Sequence, residues 1–206
     1  MASVLIVGCG DIGRRTGRRL VARGEEVVGL VRSEASAAAA AADGCHAVAA
    51  DLDRGGNAQV PEAGGTLYWF APPPPHGRQD PRLRDYLAGI PARAEPGRVV
   101  LISTSGVYGD RGGAWVREED PPAPSSDRGY RRLDAERVLT DWAGERGVEA
   151  TILRVSGIYG PGRLPLERLE RGEPILDPAD SGVTNRIHAE DLAAICARAG
   201  EPDAPT

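Results

Sequence analysis

Three glycines near the start of the chain have the spacing of a phosphate-binding turn. Gly8, Gly10 and Gly13 follow the apolar run Val4–Val7 and open an amphipathic, helix-like stretch. In such a turn the first glycine permits a sharp bend, the second lets the backbone approach a pyrophosphate, and the third lets a helix pack closely. Free amides at the helix N-terminus favour negative charge, so the pattern predicts a bound dinucleotide. The predicted binding residues are Gly8, Gly10, Asp11, Ile12 and Gly13. The alternative is an ordinary turn, because the chain contains 27 glycines.

The residues that end the second predicted strand bear on which dinucleotide binds. In NAD-binding turns an Asp or Glu about 20 residues further on accepts hydrogen bonds from the ribose 2′-hydroxyl. Here Val27–Val31 leads into Arg32 and Ser33, with no acid at that place. A guanidinium is always charged and pairs with a 2′-phosphate. We therefore predict NADP as the cofactor, with NAD as the alternative.

Four more arginines follow the turn on the first predicted helix. They are Arg14, Arg15, Arg18 and Arg19. Arg14 comes directly after the third glycine and could assist with the cofactor phosphates. The other three are expected to form a solvated, charged face of the helix.

The composition of the 206 residues excludes several classes of function. A net charge of −5 argues against a nucleic-acid partner, whose phosphates need a basic surface. No apolar stretch is long enough to span a membrane, and the first residues lack the pattern of a signal peptide. We therefore expect a cytoplasmic protein that acts on a small molecule. Cys9, Cys45 and Cys196 lack metal-ligand spacing, so no metal site and no disulfide framework is predicted.

Apolar runs alternate with helical segments along the chain. The predicted strands are Val4–Val7, Val27–Val31, Ala47–Ala50, Leu67–Phe70, Val99–Ser103 and Thr151–Val155. The predicted helices are Ile12–Arg23, Glu34–Ala42, Arg82–Arg93, Tyr130–Arg146 and Ala189–Ala199. Parallel neighbouring strands need crossover helices, so the alternation predicts an α/β, doubly wound parallel sheet, the Rossmann fold. Four prolines, residues 72–75, follow the fourth strand and form either a rigid wall beside the cofactor or a spacer.

Five segments, in this order, resemble an extended or atypical short-chain dehydrogenase/reductase of the NAD-dependent epimerase/dehydratase type. They are residues 8–13, 50–52, 103–109, 153–163 and 185–192, and they span nearly the whole chain. The resemblance implies an NAD(P)-dependent oxidoreductase or epimerase that acts on a hydroxyl or carbonyl of a small, sugar-like or nucleotide-linked substrate.

The resemblance also implies roles for individual residues. Asp51 and Leu52 would lie near the adenine, and Ala71 and Pro72 would line the ribose side of the cofactor. Ser156, at the start of residues 156–161, would flank the nicotinamide. Thr104 would hold the reacting oxygen of the substrate, with Ser105 as the nearby alternative. A polar cluster would lie toward the substrate, formed by Asn185, Arg186 and His188.

The chain departs from the family at the catalytic centre. The family uses Tyr-x-x-x-Lys-x-x-x-Glu, and alignment on Glu136 puts Arg128 at the Tyr and Arg132 at the Lys. All 25 basic residues are arginines, and a guanidinium cannot act as a general base. Arg128 could instead bind an anionic substrate or the cofactor phosphates. An alternative function is therefore that of an NADP(H)-binding sensor or scaffold without turnover.

Two tyrosines remain candidates for the proton donor. Tyr130 stands two residues beyond the expected place, and on a helix this shift turns a side chain by about 200°. Tyr130 is therefore either a displaced acid/base or a packing residue. Tyr108, in the turn after the fifth strand, is either a second candidate or a packed loop aromatic.

The expected domain organisation is a dinucleotide-binding core and a small lobe. Residues 1–155 are assigned to the core and residues 156–206 to a partial, shortened substrate lobe that is interleaved with it. The family continues with further strands and helices where this chain has only residues 200–206 after Ala199, so either the chain has been shortened or its substrate lobe is minimal. We expect an exposed region near the sixth strand that invites a partner chain or some instability, and a homodimer is one outcome. The apolar side chains of the fourth helix are either core or a dimer face; they are Leu133, Val138, Leu139 and Trp142.

Overall fold

A computed structural model describes residues 3–54, 59–163, 166–173 and 183–205. Within these ranges six strands form one parallel sheet, in the order β3-β2-β1-β4-β5-β6. The strands are β1 Ser3–Val7, β2 Glu26–Val31, β3 His46–Ala49, β4 Thr66–Trp69, β5 Arg98–Thr104 and β6 Glu149–Val155. The predicted α/β, doubly wound parallel sheet is confirmed.

Helices cover both faces of this sheet, and a second, two-stranded sheet lies beside it. The helices are α1 Asp11–Ala22, α2 Glu34–Ala42, α3 Pro81–Ala88, α4 Asp127–Arg146, α5 Leu166–Glu170 and α6 Ala189–Ala199. The small sheet pairs β7 Gly157–Tyr159 with β8 Arg186–His188 in parallel. Parts of the predicted lobe lie outside the described residues, namely 164–165, 174–182 and 206. The assignment of 156–206 as a lobe stays a prediction.

The core divides into two layers because successive strand residues point to opposite faces of the sheet. Val4 and Ile6 of β1 face a cluster that includes residues of α1, α2 and α6. Leu5 and Val7 face the other cluster, which is closed by α3 and α4. The apolar residues of α4 belong to the interior: Leu133 and Leu139 are buried, and Val138 and Trp142 pack against the second cluster. Of the two alternatives for this face, the structure therefore favours core.

Capping residues set the helix bounds where the structure departs from the predicted ones. α4 begins three residues earlier than predicted, because the Ser126 hydroxyl accepts a hydrogen bond from the amide of Gly129. It ends at Gly147, which has a φ of +65°. α3 ends at Ala88, five residues earlier than predicted. The short elements β7, β8 and α5 were not predicted, since three- to five-residue segments carry too little periodicity.

The basic face of α1 is only partly a solvated surface, because Arg18 is exposed as predicted whereas Arg15 is half-buried. Arg15, Arg18 and Arg19 all lie within ion-pair distance of Glu190 at the start of α6. The Arg15 side chain is only 15% exposed. The physical reason is the packing of α6 against α1, which brings an acid from the far end of the chain onto this face.

Gly8 is the backbone position on which the turn after β1 depends most. Its φ is +86°, and a Cβ built there would lie 2.7 Å from the Cα of Ala71. Gly24 has nearly the same φ, +84°, but no atom within 4 Å of its Cβ position. A substitution at Gly24 therefore costs backbone strain alone, whereas one at Gly8 costs backbone strain and steric overlap.

We predict that Gly24→Ala lowers the free energy of unfolding by roughly 1 kcal/mol, the cost of a left-handed residue. Gly8→Ala should lose about 1–3 kcal/mol more, because its Cβ also overlaps the end of β4. Urea denaturation of both variants measures the difference. Equal losses would show that the turn does not need this close approach.

Candidate functional site

A crevice of about 660 Å³ lies at the carboxyl ends of the strands. It opens where the strand order reverses, between β1 and β4, which is the place where ligands bind in such sheets. Five parts of the chain line it: the turn after β1 with the start of α1, the ends of β4 and β5, the start of α4, the β6–β7 junction, and Arg163 after β7. The predicted site residues among its lining are Gly8, Gly10, Asp11, Ile12, Gly13, Pro72, Thr104, Arg128 and Ser156.

The glycine turn has the three features expected of a phosphate cradle. The amides of Gly8 and Cys9 both donate to the carbonyl of Leu30, which anchors the turn to β2. A Cβ on Gly13 would lie 3.0 Å from the Gly8 carbonyl oxygen, so the helix packs as closely as a glycine allows. Gly10 has open space instead, with its nearest neighbour 4.0 Å from the Cβ position. An anion can therefore approach the backbone at Gly10.

Asp11, the first residue of α1, is neutralised by two arginines. Its carboxylate accepts hydrogen bonds from Arg15 Nε at 2.7 Å and from Arg163 Nε at 2.5 Å. Partial burial acts to raise the pKa of Asp11, but the hydrogen bonds from Arg15 and Arg163 outweigh it and lower the pKa. Asp11 therefore stays ionised. Sequence reasoning assigned no role to Arg163, although it stands in the segment 153–163 that carries the family resemblance, and it lines the crevice.

The predicted adenine-side residues stand outside the described crevice lining, at the ends of β2, β3 and β4. Arg32 is exposed, and the Ser33 hydroxyl caps α2 by accepting a hydrogen bond from the amide of Ser36. The Asp51 carboxylate accepts a hydrogen bond from the amide of Asp53 at 3.0 Å.

The other predicted residues near the ends of these strands make contacts within the protein. Leu52 packs against the core, and the Ala71 amide donates to the carbonyl of Val7. Arg14 does not reach the crevice, because its guanidinium pairs with Asp43 at 2.5 Å. Of the four prolines, Pro72 alone is among the described lining residues, and its carbonyl accepts a hydrogen bond from Arg82 at 2.8 Å. A wall beside the crevice is therefore the interpretation that fits Pro72.

Thr104 and Ser103 form the polar end of the crevice. Thr104 ends β5, and its Oγ1 accepts a hydrogen bond from the amide of Gly106 at 3.2 Å. The hydroxyl of Thr104 keeps its own proton for donation. Ser103 is buried and donates to Glu136, a contact that sequence reasoning missed. Ser105 begins the following turn and is not among the described lining residues.

A buried network holds this end of the crevice in place. The Glu136 carboxylate pairs with Arg154, whose Nη2 lies 2.8 Å from Oε2. Arg154 Nη1 also donates to the hydroxyl of Tyr108 at 2.8 Å. The hydrogen bond to Glu136 raises the pKa of Arg154 against the opposing effect of burial. The network joins β5, α4, β6 and the turn after β5, and it binds Tyr108 as a structural residue outside the described lining of the crevice.

Two arginines of α4 face the crevice, and Tyr130 does not. Arg128 and Arg132 are four residues apart, so the helix puts both on the same side, among the lining residues. Arg132 Nη1 donates to the carbonyl of Ile102 at 3.2 Å. Tyr130 packs instead against the guanidinium of Arg78, 4.4 Å from its ring centre. Tyr130 is not among the described lining residues, so of the two alternatives the structure favours a packing residue over a displaced acid/base.

The predicted polar cluster at residues 185–188 lies outside the described crevice lining. His188 caps α6, since its Nδ1 accepts a hydrogen bond from the amide of Glu190 at 3.3 Å. Its ring packs edge-on against Tyr159, with 5.2 Å between the ring centres. Among the described residues no group of three His, Cys, Asp or Glu side chains is placed to hold a metal ion. No helix in the described ranges is long and apolar enough to cross a membrane.

Comparisons with known proteins agree with this geometry. Residues 82–204 match the model of the NAD dependent epimerase/dehydratase family, and residues 4–55 match that of the TrkA-N domain. A dTDP-6-deoxy-L-talose 4-dehydrogenase (NAD(P)(+)) of Kitasatospora kifunensis is 29% identical over 202 residues, covering 91% of this chain and 62% of that protein. The chain thus spans less than two thirds of the length of that relative.

Solved structures agree as well. A conserved protein of unknown function from Silicibacter pomeroyi is 32% identical, with a TM-score of 0.79 over 99% of this chain and 71% of that one. UDP-glucuronic acid 4-epimerase from Bacillus cereus, in complex with UDP-glucuronic acid and NAD, is 18% identical, with a TM-score of 0.71 over 93% of this chain and 70% of that one. The second likeness shows the fold alone.

We predict that Glu136→Gln lowers the free energy of unfolding by about 3 kcal/mol, because it leaves Arg154 without its buried counter-charge. The matched control is Glu167→Gln, whose side chain is 89% exposed and pairs with Arg171 at 3.8 Å. The control should change stability by less than about 0.5 kcal/mol. Urea denaturation of the two variants compares them, and equally small losses would contradict a structural role for the network.

Proposed function

Because the chain belongs to the NAD dependent epimerase/dehydratase family, we propose that it is an NAD(P)-dependent oxidoreductase or epimerase. Its substrate in this proposal is a small, sugar-nucleotide-like molecule that reacts at a hydroxyl or carbonyl group. The observation that carries the proposal is that one crevice joins the glycine turn to Thr104. A cofactor held at the first and a substrate oxygen held at the second would meet in the same cavity.

The residues of the crevice fit a dinucleotide. Space at Gly10 is open, whereas Gly8 and Gly13 are packed closely, which is the arrangement that lets amides contact a pyrophosphate. The residues that would hold the cofactor are Gly8, Gly10, Asp11, Ile12 and Gly13 on the pyrophosphate, Ala71 and Pro72 on the ribose side, and Ser156 beside the nicotinamide. When bound, the nicotinamide supplies hydride transfer.

We propose that the cofactor is NADP rather than NAD. Arg32 supports it, because this residue is exposed at the end of β2 and no acid occupies the place of the ribose acceptor. Ser33, Asp51 and Leu52 would form the rest of the adenine side. NAD is the alternative, since the B. cereus epimerase named above binds it.

Thr104 is proposed to orient the reacting oxygen of the substrate. Its Oγ1 is held by the amide of Gly106, so the hydroxyl proton can be donated into the crevice. Ser105 is the alternative, although it is not among the described lining residues. The arginines cannot replace the family tyrosine as a base, so the proton must pass to a group that the substrate or water supplies.

Cofactor binding without turnover is the second candidate function. It is favoured by one observation, that Arg128 and Arg132 occupy the places of the family Tyr and Lys. The position of Thr104 in the same crevice as the glycine turn favours an enzyme. A cytoplasmic location and a homodimer stay predictions from the sequence.

We predict that the chain binds NADPH at least about tenfold more tightly than NADH, the equivalent of one charge-assisted hydrogen bond to a 2′-phosphate. Arg32→Gln should remove the preference by weakening NADPH binding alone. Arg23→Gln is the control, because Arg23 follows α1 at the opposite edge of the sheet and pairs with Glu201. Isothermal titration measures all three proteins. Equal affinities of the wild type for the two cofactors would defeat the assignment of NADP.

We also predict that Thr104→Val lowers turnover by about 10²-fold or more, because the hydroxyl that orients the reacting oxygen is lost. Thr104→Ser keeps the hydroxyl and should retain most of the activity. The assay uses dTDP-6-deoxy-L-talose, UDP-glucose and UDP-glucuronic acid. Nicotinamide absorbance measures net oxidation, and chromatography of the sugar nucleotides measures epimerisation, which leaves the cofactor unchanged over a cycle. Tight NADPH binding with no turnover on a broad carbonyl and sugar-nucleotide panel would replace the enzyme proposal with the binding function.

A further inference from the structure

Two guanidinium groups at the α4 end of the crevice have no acidic partner among the described residues. Neither Arg128 nor Arg132 has a carboxylate oxygen of a described residue within 4.0 Å. A guanidinium carries five N–H donors, and the described contacts of Arg132 satisfy one of them, with the Ile102 carbonyl. Both side chains line the crevice, so their remaining donors can reach a ligand there.

Two acids that could balance this pair form no ion pair with it within 4.0 Å. Glu136, one turn further along α4, is bound by Arg154 and Ser103. Asp80 acts on Arg132 through charge but caps α3, where it accepts a hydrogen bond from the amide of Leu83. Burial raises the pKa of Asp80, which disfavours its negative charge.

The pair is therefore a local excess of positive charge. Like charges four residues apart destabilise a helix, and a partly buried cation without a counter-ion costs more. Burial and then the charge of Arg128 lower the pKa of Arg132 to about 10, so it stays protonated at neutral pH. An arrangement that lowers the stability of the free protein in this way is typical of a ligand-binding site.

The start of α4 adds to the attraction for an anion. Ser126 and Gly129 also line the crevice there, and the N-terminus of this 20-residue helix favours negative charge. A Cβ on Gly129 would lie 2.8 Å from the Cβ of Pro124 and 3.0 Å from the carbonyl oxygen of Gly106, so the start of α4 packs closely on the turn after β5. A planar group with two oxygens matches the fork of a guanidinium, so a carboxylate fits this place better than a single hydroxyl.

We propose that Arg128 and Arg132 bind a carboxylate on the reacting part of the substrate, beside Thr104. This inference rests on the proposed function, because it takes the ligand to be the substrate of that reaction. It makes that substrate an acid, such as a uronic-acid-like sugar. The two arginines thus act in binding and specificity, in the places where the family has its proton-transfer pair. The carboxylate would neutralise the charge of the pair. Because a guanidinium stays protonated, the pair would bind the substrate without removing a proton from it.

The test is the stabilisation of the whole chain by small anions. Malonate, inorganic phosphate and the neutral malonamide are added at matched ionic strength, and the melting temperature is measured for the wild type and for Arg128→Gln and Arg132→Gln. Arg137→Gln is the control, since Arg137 is exposed on α4 and is not among the described lining residues. A ligand that binds only the folded protein raises its melting temperature.

Malonate should raise the melting temperature of the wild type and of Arg137→Gln by about 2 °C. Malonamide should not, and the effect of malonate should disappear in Arg128→Gln and Arg132→Gln. Without anion Arg128→Gln should melt no lower than the wild type, because it relieves the repulsion and removes no described hydrogen bond, so its lost response is not a folding defect. Arg132→Gln also loses the bond to the Ile102 carbonyl, so its response is measured against its own melting temperature without anion. A malonate effect that is absent in the wild type, or that survives in both variants, would overturn the proposal.

Two further outcomes separate the possible errors. A larger response to phosphate than to malonate, with the same dependence on the two arginines, would overturn the assignment of a carboxylate in favour of a phosphate. NADPH titration of the same proteins tests the proposed function independently. If NADPH binds and malonate does not, the carboxylate site alone fails; if malonate binds and NADPH does not, the proposed function fails while the anion site stands.

Discussion

The close approach of the turn at Gly8 to the end of β4 is the constraint on which the site depends. β1 lies between β2 and β4, and its turn is tied to both: the Gly8 and Cys9 amides bind the Leu30 carbonyl, while the Ala71 amide binds the carbonyl of Val7. A side chain at Gly8 would overlap the backbone of Ala71. Because the turn is held so tightly, α1 starts at a fixed place and its free amides face the crevice.

Arginines of two kinds surround the crevice, those with an acidic partner and those without one. The difference between them explains the chemistry proposed for the crevice. Arg154 is matched by Glu136, and Arg15 by Asp11 and Glu190, so these cations serve the fold. Arg128 and Arg132 have no such partner in the described part of the chain. In a chain whose basic residues are all arginines, the cations that face the ligand are therefore the ones whose charges the fold leaves unbalanced.

The crevice combines parts that favour catalysis with a centre that departs from the family. The glycine turn and Thr104 keep the positions in which a cofactor and a reacting oxygen would meet. At the places where the resemblance expects a tyrosine and a lysine the chain has guanidiniums, which stay protonated at neutral pH. The fold around them is intact, and Glu136 below them is fully bonded, so the change is confined to the ligand-facing side of α4.

The amino-acid sequence by itself determined the parts that follow from local spacing. The glycine turn, the alternation of strands and helices, and the four-residue separation that puts Arg128 and Arg132 on one face of α4 could all be read from neighbouring residues. Only the tertiary structure decided the contacts between distant residues. Arg15 and Glu190 are 175 positions apart, and Ser103 and Glu136 are 33 apart. No local pattern encodes such pairs, because packing of whole helices against the sheet selects which polar groups meet. The same packing turned Tyr130 toward Arg78 and left the two arginines facing the crevice.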